Sequence, residues 1–140
     1  LILTLLDLSI FDKNNKRIYY QKAYVEKVKE IKAYMDEHYH EKLLIGELAE
    51  RFQISMTMLK KIFKDIYDTT IYNSLRETRI QNSKKLLLET NEKIIDIACK
   101  VGYTNASKYA SAFKEITGLT PLIYRKIHRK KREELAKNNK

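Results

Sequence analysis

The sequence predicts an all-α fold: two helix-turn-helix subdomains joined by a long linker helix, about seven helices plus an N-terminal one. Three observations carry this. Breakers are scarce, with three glycines and one proline in 140 residues, and no long run alternates Val, Ile or Thr with polar residues. Apolar residues recur at helical spacing from Val25 onward. A pair of short helices is written twice, about fifty residues apart.

The elements follow in order. LILTLLDLSIF opens the chain and reads as an apolar helix. It contains Asp7, is too short to span a bilayer and lacks the layout of a signal peptide. The polar turn DKNNKR and a tyrosine-rich stretch come next. There is no initiator Met, so the chain is expected to be a fragment, and residues 1–24 read as a separate piece. Val25, Val28, Ile31, Tyr34 or Met35, and Tyr39 predict a helix over 23–40. A short helix at 45–52 turns Leu48, Ala49 and Phe52 inward. Ser55 is the expected N-cap of a helix reaching 67. The long helix 71–89 runs through Leu75, Ile80, Leu86 and Leu87. Another short helix covers 94–101 and is closed by Gly102. Thr104 or Asn105 caps a helix to 117, closed by Gly118. Thr120-Pro121 is an N-cap with proline at the first helical position, so a last helix starts there. The tail KREELAKNNK is expected to fray. The expected organisation is 25–69 for the first unit, 70–90 for the linker helix, 91–128 for the second unit and 129–140 for a basic tail.

The duplication is residue by residue. IGELAERFQIS (45–55) lies over IIDIACKVGYT (94–104), which places Leu48 on Ile97, Ala49 on Ala98, Phe52 on Val101, Ile54 on Tyr103 and Ser55 on Thr104. Beyond one extra residue, Phe63 falls on Phe113, Lys64 on Lys114, Asp68 on Gly118 and Thr70 on Thr120. Ala49 and Ala98 are small where a partner helix must come close, and Ile54 and Tyr103 plug the space behind the corner. Gly102 suits that corner because a left-handed backbone costs glycine little. Gln53 stands there in the first copy, so that copy carries about 1 kcal/mol of strain or turns differently.

Charge points to the partner. The formal net charge is +10, which favours a polyanion and argues against a cationic partner. With Leu59, Ile62, Phe63 and Ile66 facing the core, Thr57, Lys60, Lys61 and Lys64 form one polar stripe at i, i+3, i+4, i+7. The second copy buries Tyr109, Ala112, Phe113 and Ile116 and presents Ser107, Ala110, Ser111 and Lys114. A helix of this kind enters the major groove of DNA, where base edges are distinguishable. A 19-residue linker helix, about 28 Å long, holds two such helices near one DNA turn apart, about 34 Å. Unlike copies imply an asymmetric site, and a shorter separation implies DNA bent towards the protein.

These residues resemble the C-terminal DNA-binding domain of the AraC/XylS family of bacterial transcription regulators, over about residues 25–127. IACKVGYTNASKYASAFKEITGLTPLIYRK is similar to that family's signature. The linker helix resembles it through Arg79-Ile80, Ser83 and Leu86-Leu87, and the first unit through ELAERFQIS and LKKIFKD. The resemblance implies base contacts from Thr57, Lys60 and Lys61, and from Asn105, Ala106, Ser107 and Ser111. It implies backbone contacts from Ser55, Lys64, Thr104, Lys108, Lys114, Arg125 and Lys126. Lys108 stands where the family usually has an aromatic, Ser111 where it often has arginine, and Asp68 where it usually has glycine. Ala106 and Ala110 suit contact with thymine methyls. The resemblance also implies that residues 1–24 are a linker or the end of an upstream regulatory or dimerisation domain. Implied partners are double-stranded DNA, RNA polymerase and a second copy through that upstream domain, with no membrane partner and a cytoplasmic location. An activator is the role expected, although the sequence leaves activation and repression open.

Other chemistry finds little support. His38 and His40 are two apart and point to different sides of a helix, and His128 lies in a basic run, so no metal site is expected. Cys99 has no activating histidine nearby in sequence and cannot form an internal disulfide, which suits a reducing compartment. No phosphate-binding glycine loop, cofactor site or catalytic cluster is expected. Tyr34, Tyr103, Tyr109 and Tyr124 fall on core positions. RKIHRKKR (125–132) reads as a phosphate clamp, a membrane-surface helix or a solubilising tail. The alternative to DNA recognition is a non-enzymatic interaction and dimerisation module that binds polyanions without sequence preference. An enzyme acting on nucleic acid is a more distant third.

Overall fold

The computed structural model describes residues 9–11 and 17–140. Strand β1 (Ser9–Phe11) pairs antiparallel with β2 (Arg17–Tyr19), Ile10 opposite Ile18. Seven helices follow among the described residues: α1 Lys22–Glu37, α2 Ile45–Arg51, α3 Met56–Tyr67, α4 Ile71–Glu89, α5 Ile94–Lys100, α6 Ala106–Thr117 and α7 Pro121–Asn138.

Two expectations are corrected. Residues 1–8 of the expected N-terminal helix lie outside the described residues, and 9–11 are strand. Ile10, Phe11, Ile18 and Tyr19 are β-branched or aromatic and flank a polar stretch with two asparagines, a hairpin composition that outweighs the apolar run. The tail does not fray at 131: α7 continues to Asn138. Lys130 precedes Glu134, and Glu133 precedes Lys137, by four residues, a spacing that supports helix.

The chain divides into two compact units. The first comprises the described residues through His38 together with Leu43–Leu75; the second comprises Tyr39–Lys42 and Arg76–Lys140. In the first, Val28, Ile31 and Met35 of α1 bury with Leu48 and Ala49 of α2, Leu59, Ile62 and Phe63 of α3, and Ile71 and Leu75 of α4. Met35 takes the core position and Tyr34 lies at its edge, stacked on His38. Tyr20 is buried and its hydroxyl donates to Asp65 of α3 at 2.5 Å, which ties the exit of the hairpin to that helix. Burial first, and the Asp65 carboxylate second, raise its pKa well above the ordinary phenol value.

The second unit closes around Ile80, Leu87, Ile97, Ala98, Val101, Tyr109, Ala112 and Phe113, with Tyr39 and Tyr124 packed on the edge. Three arginines complete it, one by binding carbonyls of the loop after α1 and two by satisfying carbonyls at the end of α4. Arg79 donates from Nε to the Tyr39 carbonyl (2.7 Å) and from Nη2 to that of Glu41 (2.8 Å), and lies over the Tyr103 ring. Arg125 Nε donates to the Leu87 carbonyl at 2.9 Å. Arg129 reaches the Leu87 and Thr90 carbonyls and the side chain of Asn91. The last two guanidiniums thus close the C-terminus of α4, where the helix dipole also favours positive charge.

Candidate nucleic-acid interface

Each unit folds the same corner, and the backbone shows it bond for bond. Phe52 N donates to Leu48 O and Ile54 N to Ala49 O; Val101 N donates to Ile97 O and Tyr103 N to Ala98 O. After the corner, Asp68 N donates to Lys64 O and Gly118 N to Lys114 O. Left-handed residues fall at the same two places, Gln53 (φ 54°) with Gly102 (φ 100°), and Asp68 (φ 56°) with Gly118 (φ 84°). The first copy therefore does adopt the strained corner without glycine. Lys27 Nζ donates to the Gln53 carbonyl at 3.1 Å and helps hold it.

The caps locate the extra residue. Ser55 Oγ accepts from Met58 N at 3.1 Å. Asn105 Oδ1 accepts from Ser107 N at 2.8 Å and Lys108 N at 3.1 Å. Asn105, not Thr104, is thus the counterpart of Ser55, and Thr104 is the inserted residue. Thr70 and Thr120 repeat the same role one helix later, accepting from Asn73 N and Ile123 N.

On α3 the sequence-derived stripe forms as a surface. Ser55, Thr57, Lys60, Lys61 and Lys64 are all exposed, while Leu59, Ile62 and Phe63 are fully buried. The ammonium groups of the three lysines have no hydrogen-bond or ion-pair partner among the described residues. On α6, Ser107, Lys108, Ser111 and Lys114 are exposed, as are Thr104 and Asn105; Ala106 is half-buried. Asn105 spends its amide oxygen on the cap, so its NH2 is the group it can still offer a ligand. Lys126 is exposed. Arg125 is the exception among the expected backbone contacts: its guanidinium is turned inward to α4, and burial, then the neighbouring Arg129, lower its pKa. The clamp reading of 125–132 therefore divides, Arg125 and Arg129 holding the fold and Lys126, Lys130, Lys131 and Arg132 left exposed.

Sequence reasoning passed over Met56, the first residue of α3, which is exposed although apolar. Its signal was an unbranched apolar residue directly after an N-cap. Among the described residues, no group of three or more His, Cys, Asp or Glu is placed to hold a metal ion. No helix there is long and apolar enough to cross a membrane.

Comparison with known proteins agrees with this geometry. A family described as "Helix-turn-helix domain" matches residues 48–127. The bifunctional transcriptional activator/DNA repair enzyme AdaA of Bacillus subtilis is 36% identical over 110 residues, covering 79% of this chain and 51% of AdaA. An uncharacterised HTH-type transcriptional regulator of Staphylococcus aureus is 37% identical over 100 residues, 71% of this chain and 13% of its own length. The chain thus spans about half or less of these relatives. Among solved structures, the C-terminal domain of AraT, a response regulator from Geobacillus stearothermophilus, superposes with a TM-score of 0.70 at 27% identity, covering 72% of this chain and 84% of that one. The DNA-binding domain of AdpA, a global transcriptional factor solved in complex with a target DNA, reaches 0.73 at 22% identity over 76% and 96%, and shows the fold.

Proposed function

The chain belongs to the AraC-type helix-turn-helix family of transcriptional regulators, and from that premise we propose that it binds double-stranded DNA in a sequence-specific way. Helices α3 and α6 are its recognition helices and enter adjacent major grooves. The observation that carries this reading is the duplicated corner, which leaves on each recognition helix one polar face while burying Leu59, Ile62 and Phe63 on α3 and Tyr109, Ala112 and Phe113 on α6, with Ile66 and Ile116 half-buried at the edge of each. On α3, Thr57, Lys60 and Lys61 meet base edges while Lys64 meets phosphate. On α6, Ser107 and Ser111 with the Asn105 amide and the Ala106 methyl read bases, and Thr104, Lys108 and Lys114 hold the backbone. The stripes differ in charge and reach, so the site is asymmetric and in two parts.

This part of the protein acts by binding, without catalysis of its own, in the cytoplasm of a bacterium. RNA polymerase and a second copy of the chain are the partners proposed for the whole protein. AdpA's DNA complex supports the reading through the shared fold.

Selection of binding sites from randomised duplexes tests it. The expected product is a two-part asymmetric motif of roughly 20 base pairs, two half-sites about one helical turn apart. Lys61→Ala should change base preference at one position, with about 1–3 kcal/mol of lost discrimination, whereas Lys64→Ala weakens all sequences alike. Equal losses on selected and random DNA for both variants would refute that division of roles. Enrichment of nothing would favour the rival reading, an interaction module that binds polyanions indiscriminately.

A further inference from the structure

Met56, the first residue of α3, sits at the edge between the helix's buried face and its polar stripe, and the stripe does not explain it. It is 43% exposed, and it follows Ser55, whose hydroxyl caps the helix. It precedes Lys60 by four residues, so it stands one turn nearer the N-terminus on the same side. That is the end of a recognition helix that meets base edges.

The duplication shows that the exposure is a particular arrangement. Across the corner, the first unit places Gly46 on α2 and Met56 on α3. The second places Ile95 and Ala106 at the duplicate positions. Small and large are exchanged between the two helices. Gly46 has an ordinary backbone φ, and a Cβ there would lie 3.6 Å from the Met56 sulfur. The Met56 sulfur therefore lies over the glycine, and the side chain stays partly exposed instead of joining the core. In the second unit the large apolar side chain, Ile95, is carried by α5 and is 61% exposed, while the recognition helix offers only a methyl.

An unbranched, polarizable thioether fills irregular apolar contacts well. In the major groove the apolar feature on a base edge is the C5 methyl of thymine. We propose that Met56 is a specificity-determining residue that packs against a thymine methyl in the half-site read by α3. The proposal rests on the DNA-binding reading above and names what the lysine stripe alone does not, a fixed thymine flanking the positions read by Thr57, Lys60 and Lys61.

The test uses the full chain and the duplex selected as above. Each thymine of the first half-site is replaced in turn by deoxyuridine, which keeps the pairing and removes only the methyl. For the unsubstituted protein one replacement should weaken binding about four-fold, the weight of one buried methyl group. Met56→Ala should bind the thymine and uridine forms alike at that position and keep its response elsewhere. Met56→Leu, which stays apolar, should retain most of the discrimination. Because Met56 is exposed, its variants should melt with the parent, and circular dichroism checks this. Methyl sensitivity that Met56→Ala leaves unchanged, or no thymine whose methyl matters, overturns the proposal while DNA recognition stands. A selection that enriches no sequence overturns both.

Discussion

Gln53 and Gly102 occupy the same left-handed corner, yet a side chain meets different surroundings at each. A Cβ on Gly102 would lie 2.9 Å from both Arg79 Nε and the Tyr39 carbonyl oxygen. Gly102→Ala should therefore cost the second unit the left-handed strain of about 1–2 kcal/mol and the displacement of Arg79 besides. Gly118→Ala, with nothing within 4 Å, should cost only the strain. Gln53→Gly should stabilise the first unit by about 0.5–1 kcal/mol, since relief of strain is partly offset by a freer unfolded chain. Urea denaturation of the three variants reads this order. Tyr109 carries a pH dependence. Burial, the largest effect, pushes its phenol up to about 12. The unfolded chain releases this proton near pH 10 and the folded one near 12, so the contribution is complete below 10 and falls as pH rises between the two. The loss is on the order of 2–3 kcal/mol. In Tyr109→Phe that part of the alkaline decline should disappear, measured by denaturation across pH 9–12. These residues were legible in different degrees. Gly102 announces its corner, but nothing local in Gln53 does, and only the repeat marked it.

At the scale of elements, capping decides where each recognition helix begins. Asn105→Ala should cost about 1 kcal/mol by removing the acceptor for two backbone N–H groups, while Thr104→Ala should lie within about 0.5 kcal/mol of the parent. Thermal melts of the pair test which residue corresponds to Ser55. The sequence left Thr104 and Asn105 as alternatives because both side chains can cap; the choice depends on where the chain leaves the corner. The end of α4 makes a similar point. Arg129→Ala leaves the Thr90 carbonyl without its guanidinium donor and should destabilise the second unit by about 1–3 kcal/mol. Arg129→Lys should not restore it, because a single ammonium cannot reproduce the planar fork that spans Leu87, Thr90 and Asn91. In a linear run, RKIHRKKR gives no sign that two of its arginines face inward. That follows from α7 packing beside α4, a contact some forty residues apart along the chain. The paired strands Ser9–Phe11 and Arg17–Tyr19 were missed because an apolar run such as 1–11 satisfies helix and strand alike.

For the whole molecule, the two units are not consecutive in sequence. Tyr39–Lys42 belongs to the second unit although it follows α1 of the first, and Arg79 holds it there through two carbonyls. A cut between the first and second motifs in linear order would separate those partners, which no periodicity in the sequence signals. Charge acts at the same scale. Lysines 60, 61 and 64 of the first unit and 108, 114 and 126 of the second are exposed cations. Each one that meets a phosphate releases about one counterion. Log affinity should therefore fall linearly with log salt, and Lys64→Ala should reduce the slope by about 1. Titration of the selected duplex over a range of salt checks this; an unchanged slope would place Lys64 off the phosphates.

The sequence by itself determined the helical class, the duplication, the buried faces of α3 and α6, and the lysine stripe, because each is a local pattern repeated at helical spacing. Only the tertiary structure decided which cap begins α6, which arginines of the basic run turn inward, where Tyr39–Lys42 belongs, and that Met56 stays partly exposed. Each of those depends on which surface a distant element covers, and burial by a distant element leaves no periodic trace in the chain.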